Sequence, residues 1–198
     1  MPDGLARGIT NGDQIMRFAK RGGFWKAILT VAIVFLASSG HATRSAPKQA
    51  KKMSPTERAK ALGITFEKLQ PGYLNRCVKS GKLLFTSGHT SKIKGQLGKD
   101  LKVEDGYKAA REAAIEVLRA VYDRHGTLDN LRVVKVLGCV NSSPDFYDQP
   151  KVINGCSDLL HEIFGAKTDG WHARSALGFA AIPGGKAVEI EAIFEIKD

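Results

Sequence analysis

The stretch WHARSALGFAAIPGGKAVEIEAI, residues 171–193, predicts two β-strands separated by a Pro-Gly-Gly turn. In the first strand Arg174 is the single charged residue, and a guanidinium in an apolar strand needs an anionic partner or water. In the second strand apolar and acidic residues alternate, which places Glu189 and Glu191 on one face. Together the two strands predict a carboxylate-binding site.

The same charges also allow a purely structural interpretation. Acidic residues along one strand face are typical of a solvated surface, and Glu191 and Glu195 fit that description. Arg174 would then form a structural ion pair with a strand glutamate. A further pattern is therefore needed before a function is assigned.

Upstream residues predict the rest of one α+β domain. The predicted elements are a β-hairpin over Tyr73–Val78 and Lys82–Ser87, a helix over Val103–His125, a central strand over Leu131–Asn141 and a second helix over about Val152–Phe164. The order β-β-α-β-α-β-β predicts a mainly antiparallel sheet with two helices on one face. We expect the other face of the sheet to meet further subunits.

The first 42 residues have the three-part pattern of a secretory leader. Basic residues precede an uncharged apolar run over residues 27–37, and Gly40 and Ala42 occupy the −3 and −1 positions of a cut after Ala42. The run is shorter than the roughly 20 residues that a membrane span needs. We expect a periplasmic or secreted protein with no stable membrane span after cleavage. The alternative is membrane anchoring by an uncleaved leader, and Met16 is a second candidate start.

The formal charge of +10 is concentrated before the predicted domain. Residues 43–62 form a basic linker with flexible composition, whose second half could form a helical turn, and the domain at residues 63–198 carries 19 basic and 17 acidic side chains. Because phosphate recognition needs clustered basic residues, we expect no nucleic-acid partner.

Cysteine and histidine spacing predicts neither a disulfide framework nor a metal site. Cys77, Cys139 and Cys156 are odd in number and widely scattered, so buried thiols are expected. The histidines have no cysteine or carboxylate neighbours at ligand spacing, so no bound metal is expected.

Five short motifs follow one another along the domain: Gly72-Tyr73, GKLLFTSG at 81–88, VING at 152–155, ARS at 173–175, and Pro183 followed by VEIEAI at 188–193. With these motifs the domain resembles the reactive-intermediate deaminase family, RidA, also called YjgF, from about Leu62 to Ile196. The motifs HARSA at 172–176 and NGCSD at 154–158 resemble its chorismate mutase-like or endoribonuclease branch.

The resemblance implies a chorismate-mutase-like fold that forms a homotrimer, with small-molecule clefts between subunits and no cofactor. The implied activity is hydrolysis of reactive imines or enamines to 2-keto acids and ammonia. Arg174 would bind the substrate carboxylate through two parallel hydrogen bonds, and Glu189 would activate water. The other implied cleft residues are Tyr73, Ser87, Gly88 and Asn154. Tyr73 could instead fill a sheet edge, and Asn154 could cap the second helix.

Two positions depart from the pattern of well-known family members. Ala176 stands where those members often have cysteine, which excludes a thiol mechanism at this position. His89 replaces a common glutamine, so the shape of the cleft is expected to differ.

The spacing of Arg174 and Glu189 gives a separate inference. If residues 183–186 close a hairpin, Arg174 lies opposite Glu195, and Glu189 is on the order of 20 Å away along the strand. One small substrate cannot bridge that gap. We therefore predict that Arg174 and Glu189 meet across a subunit boundary.

Two rival functions use the same domain. A non-catalytic exported protein could bind keto acids or similar carboxylates in the cleft. RNA cleavage is the other, and the nearly neutral domain disfavours it.

Overall fold

Residues 52–198, the part of the chain that this computed structural model describes, form three α-helices and six β-strands. In chain order the elements are α1 (Pro55–Ala61), β1 (Cys77–Ser80), β2 (Leu83–Thr86), β3 (His89–Thr90), α2 (Val103–His125), β4 (Leu131–Asn141), α3 (Gln149–Phe164), β5 (Ala173–Phe179) and β6 (Val188–Ile196). A π-helical turn over Gly165–Asp169 follows α3, and a 3-10 turn over Pro183–Gly185 precedes β6. The predicted α+β fold and its order of elements are confirmed, with α1 and β3 in addition.

The structure confirms the predicted limits of two elements and changes those of two others. Helix α2 and strand β4 have the predicted limits, and Gly126 ends α2 in the left-handed conformation with φ +86°. Helix α3 begins at Gln149, earlier than predicted, because Pro150 occupies its first turn, where its missing N–H is tolerated. Strand β1 begins at Cys77, so Tyr73 lies outside the sheet.

Helices α2 and α3 pack closely because small residues line their contact. The buried residues of α2 include a run of alanines, and Gly155 of α3 lies directly against the backbone of Tyr107. A Cβ atom at position 155 would overlap the carbonyl oxygen of Tyr107. Backbone atoms cannot rotate away as a side chain can, so the distance between the helices depends on this glycine.

We therefore expect Gly155→Ala to lower the free energy of unfolding by about 1–3 kcal/mol or more, the usual cost of overpacking. Urea denaturation followed by circular dichroism measures the change. Gly72→Ala is the matched control, because the nearest atom to a Cβ there is 3.7 Å away, at ordinary contact distance. Equal stability of both variants would contradict this account of the helix contact.

The sheet has the strand order β1-β2-β6-β4-β5, and β3 also pairs with β6. Strand β4 is central: it pairs antiparallel with β6 and parallel with β5. The predicted hairpin of β5 and β6 is therefore wrong, since the chain passes over β4 between these strands and Arg174 does not face Glu195. A turn sequence fixes local backbone shape, whereas strand neighbours depend on packing of the whole sheet.

The two faces of the sheet differ in burial. Val188, Ile190, Ala192 and Phe194 of β6 are buried on the face that the helices cover. The opposite face carries apolar side chains that are 39–50% exposed: Val78, Phe85, Leu177 and Phe179. Apolar side chains on a strand face normally pack against another layer, whereas these four are exposed in the single protomer.

Helix α1 lies within the stretch predicted as linker. A capping box of Ser54 and Glu57 starts it, Ala59 is fully buried, and Arg58 donates a hydrogen bond to the carbonyl of Ile163 in α3. The chain therefore joins the folded domain before Gly63.

The predicted leader over residues 1–42, its cleavage after Ala42 and the alternative start at Met16 lie outside the described residues. Within residues 52–198, no helix combines the length and the apolar character needed to cross a membrane.

The three cysteines are buried free thiols, as predicted. Burial raises the pKa of Cys77 to about 11, of Cys139 to about 11 and of Cys156 to about 12. A thiol becomes a nucleophile as its thiolate, so none of the three is activated in this state.

Candidate functional site

Arg174 lies near the start of the edge strand β5, on the face that the helices cover. Its Nη1 donates to Oδ1 of Asn154 at 2.9 Å and to Oγ of Ser157 at 3.1 Å, both on α3. Asn154 is in the second turn of α3 and therefore does not cap that helix. The structure thus brings Arg174 and Asn154 together, and no acidic side chain of residues 52–198 pairs with Arg174.

A cleft of ≈ 270 Å³ opens beside this guanidinium. Residues from α3 and from the segment before β5 line it: Asn154, Ser157, Asp158, His161, Trp171, His172 and Arg174. Trp171 is 68% exposed and stacks on His161 with a centroid separation of 6.2 Å. A cation beside exposed aromatic and hydrogen-bonding groups suits a small organic anion.

Sequence reasoning missed Ser157 and His172 as members of this cluster. Ser157 Oγ lies 3.1 Å from His172 Nε2, and His172 Nδ1 lies 2.6 Å from the carbonyl oxygen of Gly170. A signal was present, because Asn154, Ser157 and His161 are spaced by three and seven residues and so lie on one helix face. His172 lies just before β5, two residues from Arg174, and both side chains contact Ser157 Oγ.

Glu189 belongs to a second cluster, on β6 and at the junction of β2 and β3. The strand register shifts by one residue between Phe85, opposite Ile193, and His89, opposite Ile190, which defines a β-bulge at this junction. Gly88 lies in the bulge, and a Cβ there would overlap the Glu189 carboxylate. A side chain at position 88 would displace the Glu189 carboxylate from its present position.

Ser87 and Tyr73 lie near this second cluster in different environments. Ser87 Oγ donates to the carbonyl of Asn75 at 2.7 Å, which ties the bulge to the loop before β1. Tyr73 lies in that loop and is fully exposed, so it fills no sheet edge among the described residues. The loop thus holds a tyrosine whose ring remains available to a ligand or a neighbouring subunit.

Arg174 and Glu189 point to opposite faces of the sheet. Arg174 pairs with Val136 and Glu189 pairs with Cys139, three residues further along β4, and side chains alternate along a strand. Two strand spacings and three residues separate the two Cα atoms by about 14 Å. β5 and β6 do not form the predicted hairpin. Arg174 and Glu189 of one protomer are nevertheless far apart, because β4 lies between their strands and they point to opposite faces.

The Glu189 carboxyl has a pKa above its usual value. Burial is the main cause, and the negative charge of Glu191 two residues along the same face adds to it. A raised pKa makes the ionised carboxylate a stronger base. Glu189 is therefore a stronger proton acceptor than a fully solvated glutamate.

Replacing Glu191 by Gln should lower the pKa of Glu189. The substitution removes a negative charge that disfavours ionisation of Glu189. A pH titration of the side-chain carboxyl ¹³C signals of wild type and variant measures this shift. A pKa of Glu189 that rises, or stays in place, would contradict the effect given to Glu191.

Fold and site together define a small α+β domain in which Arg174 and Glu189 lie in separate clusters on opposite faces of one sheet. A family model described as "YjgF/chorismate_mutase-like, putative endoribonuclease" matches residues 55–186. The chain belongs to this family, which confirms the resemblance to RidA/YjgF proteins.

Individual proteins show the same relationship. Protein TCP17 of Trypanosoma cruzi is 43% identical over 128 residues, which cover 61% of this chain and 79% of that protein. A crystal structure of Atu1372 from Agrobacterium tumefaciens, a protein of unknown function, is 36% identical, with a TM-score of 0.65 over 72% of this chain and 94% of that chain. A "putative endoribonuclease" of Shewanella oneidensis MR-1 is 27% identical, with a TM-score of 0.67 over 73% of this chain and 100% of that chain.

Proposed function

We propose that the protein hydrolyses reactive imines or enamines that carry a carboxylate, releasing a 2-keto acid and ammonia. The observation that carries the proposal is the guanidinium of Arg174, held by Asn154 and Ser157 beside an open cleft. A planar guanidinium binds a carboxylate through two parallel charge-assisted hydrogen bonds. Such a grip fixes the neighbouring C=N carbon for attack.

Water then supplies the new oxygen atom. Glu189 removes a proton from a water molecule as the oxygen attacks the imine carbon, and returns this proton to the nitrogen, which gives a tetrahedral carbinolamine. The hydroxyl proton of the carbinolamine then passes to the nitrogen, the C–N bond breaks, and ammonia leaves as the C=O bond forms. Each turnover consumes one water and one imine, and no cofactor is required.

We propose a homotrimer whose cleft combines the Arg174 cluster of one subunit with the Glu189 cluster of the next. Arg174 and Glu189 of a single protomer point to opposite faces of the sheet, so one small substrate cannot reach both side chains. This orientation supports the shared cleft. Exposed apolar side chains such as Phe85 and Leu177 supply a surface for assembly. In the assembly Tyr73, Ser87 and Gly88 would line the Glu189 side of the cleft.

The test is an assay in which an amino-acid oxidase generates the imine and ammonia release is followed in time. Purified protein should accelerate this release above the spontaneous rate. The leader predicted at residues 1–42 suggests that this reaction takes place in the periplasm or outside the cell, which N-terminal sequencing of the native protein would check. No acceleration with imines of small, branched and aromatic amino acids would refute the hydrolase.

A second candidate is a carboxylate-binding protein without catalysis. The Cα atoms of Arg174 and Glu189 are about 14 Å apart within one protomer. A protomer that does not assemble could therefore bind a carboxylate at Arg174 without a base beside it. Calorimetry with 2-ketobutyrate separates the two: binding that Arg174→Ala abolishes, together with no turnover of any imine, identifies the carrier.

Ribonuclease activity is suggested by the description of the family and by the name of the Shewanella relative. If the cleft cleaved RNA, Arg174→Ala would remove the activity. A ribonuclease signal that this variant leaves unchanged would not come from the cleft.

A further inference from the structure

We infer that Ser157 and His172 are positioning residues that select which edge of the Arg174 guanidinium binds the ligand. They form a hydrogen-bonded chain from the carbonyl of Gly170 through His172 and Ser157 to Nη1 of Arg174. The inference deepens the proposed function, on which it rests for the identity of the ligand.

The direction of each hydrogen bond follows from donor and acceptor chemistry. A carbonyl oxygen only accepts, so His172 Nδ1, 2.6 Å from the oxygen of Gly170, carries a hydrogen. A guanidinium only donates, so Ser157 Oγ accepts from Arg174 and keeps its own hydrogen for His172 Nε2 at 3.1 Å. All these contacts are satisfied at once when His172 is neutral and protonated on Nδ1.

The surroundings of His172 favour the neutral imidazole. Burial lowers the pKa of His172, and the nearby His161 and Arg174 lower it further, against an opposing effect of the Gly170 carbonyl. Ser157 itself is only 6% exposed, so water does not readily replace either of its hydrogen bonds. The chain is thus well protected in this protomer.

The hydrogen count of the guanidinium then fixes its free edge. Nη1 has two hydrogens, and Asn154 and Ser157 accept them. Within residues 52–198, Nε and Nη2 of Arg174 form no hydrogen bond. These two atoms form the side-on edge that binds both oxygens of a carboxylate. The geometry therefore assigns the ligand carboxylate to the Nε and Nη2 edge, with Nη1 as the anchor.

The first test needs no ligand. ¹⁵N NMR of the histidine side chains in the full chain at neutral pH reports which ring nitrogen carries hydrogen, and His172→Gln identifies the signal by its loss. The inference expects a neutral His172 with hydrogen on Nδ1, and a change in its Nε2 signal in Ser157→Ala. Hydrogen on Nε2, an imidazolium, or an unchanged signal in Ser157→Ala would overturn it.

The second test measures 2-ketobutyrate binding by calorimetry. Ser157→Ala and His172→Phe should each weaken binding on the order of tenfold, the usual effect of one hydrogen bond to a charged group. His172→Gln restores an acceptor near the position of Nε2 and should recover most of the loss. Ser142→Ala is the matched control, because it removes another buried serine hydroxyl, which accepts from Gln149 and forms no hydrogen bond to the residues that line the Arg174 cleft.

The outcomes separate this inference from the proposed function. If Ser157→Ala and His172→Phe bind 2-ketobutyrate as tightly as wild type does, the positioning role is refuted and the proposed function stands. Wild-type protein that binds no keto acid and hydrolyses no imine would refute the function, and the NMR result would still decide on the hydrogen-bonded chain. Circular dichroism shows that each variant is folded, and for a variant that does not fold the NMR measurement on wild type decides.

Discussion

Arg174→Ala should abolish both imine hydrolysis and 2-ketobutyrate binding, while the protein stays folded. The guanidinium lies at the rim of a cleft and has no acidic partner among residues 52–198, so its removal breaks no ion pair, and the cost in stability is limited to its hydrogen bonds to Asn154 and Ser157. It does remove the group that binds the carboxylate. The oxidase-coupled ammonia assay and calorimetry measure the two losses.

Arg174→Lys sharpens this prediction. Lysine keeps the positive charge and loses the planar pair of donors, so affinity should still fall by roughly tenfold or more. Arg111→Ala is the matched control, since Arg111 forms an exposed ion pair with Glu162 on the outer surface of the helices. Full activity of Arg174→Ala, or an equal loss in Arg111→Ala, would contradict the role given to Arg174.

Glu189→Gln should lower kcat by roughly 10²–10⁴, the usual contribution of a general base, and leave 2-ketobutyrate affinity nearly unchanged. Glutamine has the same shape, so it fits against Gly88 without repacking, but it cannot accept the proton of water. Single-turnover kinetics with imine generated in place, alongside calorimetry, separates the rate from the affinity.

Glu195→Gln provides the comparison for Glu189. Glu195 lies on the same face of β6 and forms an ion pair with Arg132. Its neutralisation should leave kcat within a few-fold of wild type. If Glu189→Gln turned over as fast as Glu195→Gln, the proton would be taken by another group.

Elements with a strong local pattern could be predicted from sequence with their bounds. Helix α2 has an apolar stripe and a terminal Gly126, and β4 is an unbroken run of branched residues, so neighbours along the chain determine both. Family membership followed from short motifs in order, although each motif alone was weak. Asn154 and Arg174, placed in one cleft by resemblance, lie within 2.9 Å of each other.

Features that depend on distant packing could not be predicted in the same way. The Pro-Gly-Gly turn suggested that β5 and β6 are neighbours. In the structure β4 lies between them, because α3 connects β4 to β5 and the two strands pair in parallel. The series of hydrogen bonds from the Gly170 carbonyl to Arg174 joins α3, the segment before β5 and β5 itself. No single spacing along the sequence therefore predicts it. Pairing of β3 with β6 was missed because two residues carry no periodicity.

In the proposed homotrimer each cleft contains Arg174 of one subunit and Glu189 of another. Mixing the inactive variants Arg174→Ala and Glu189→Gln within one assembly tests it most directly, because some boundaries then pair an intact arginine with an intact glutamate. With equal, random mixing about one quarter of the clefts should be complete, and hydrolysis should return to about that fraction of the wild-type rate. Mixed assemblies, verified by native mass spectrometry, that remain as inactive as either parent would contradict the shared cleft.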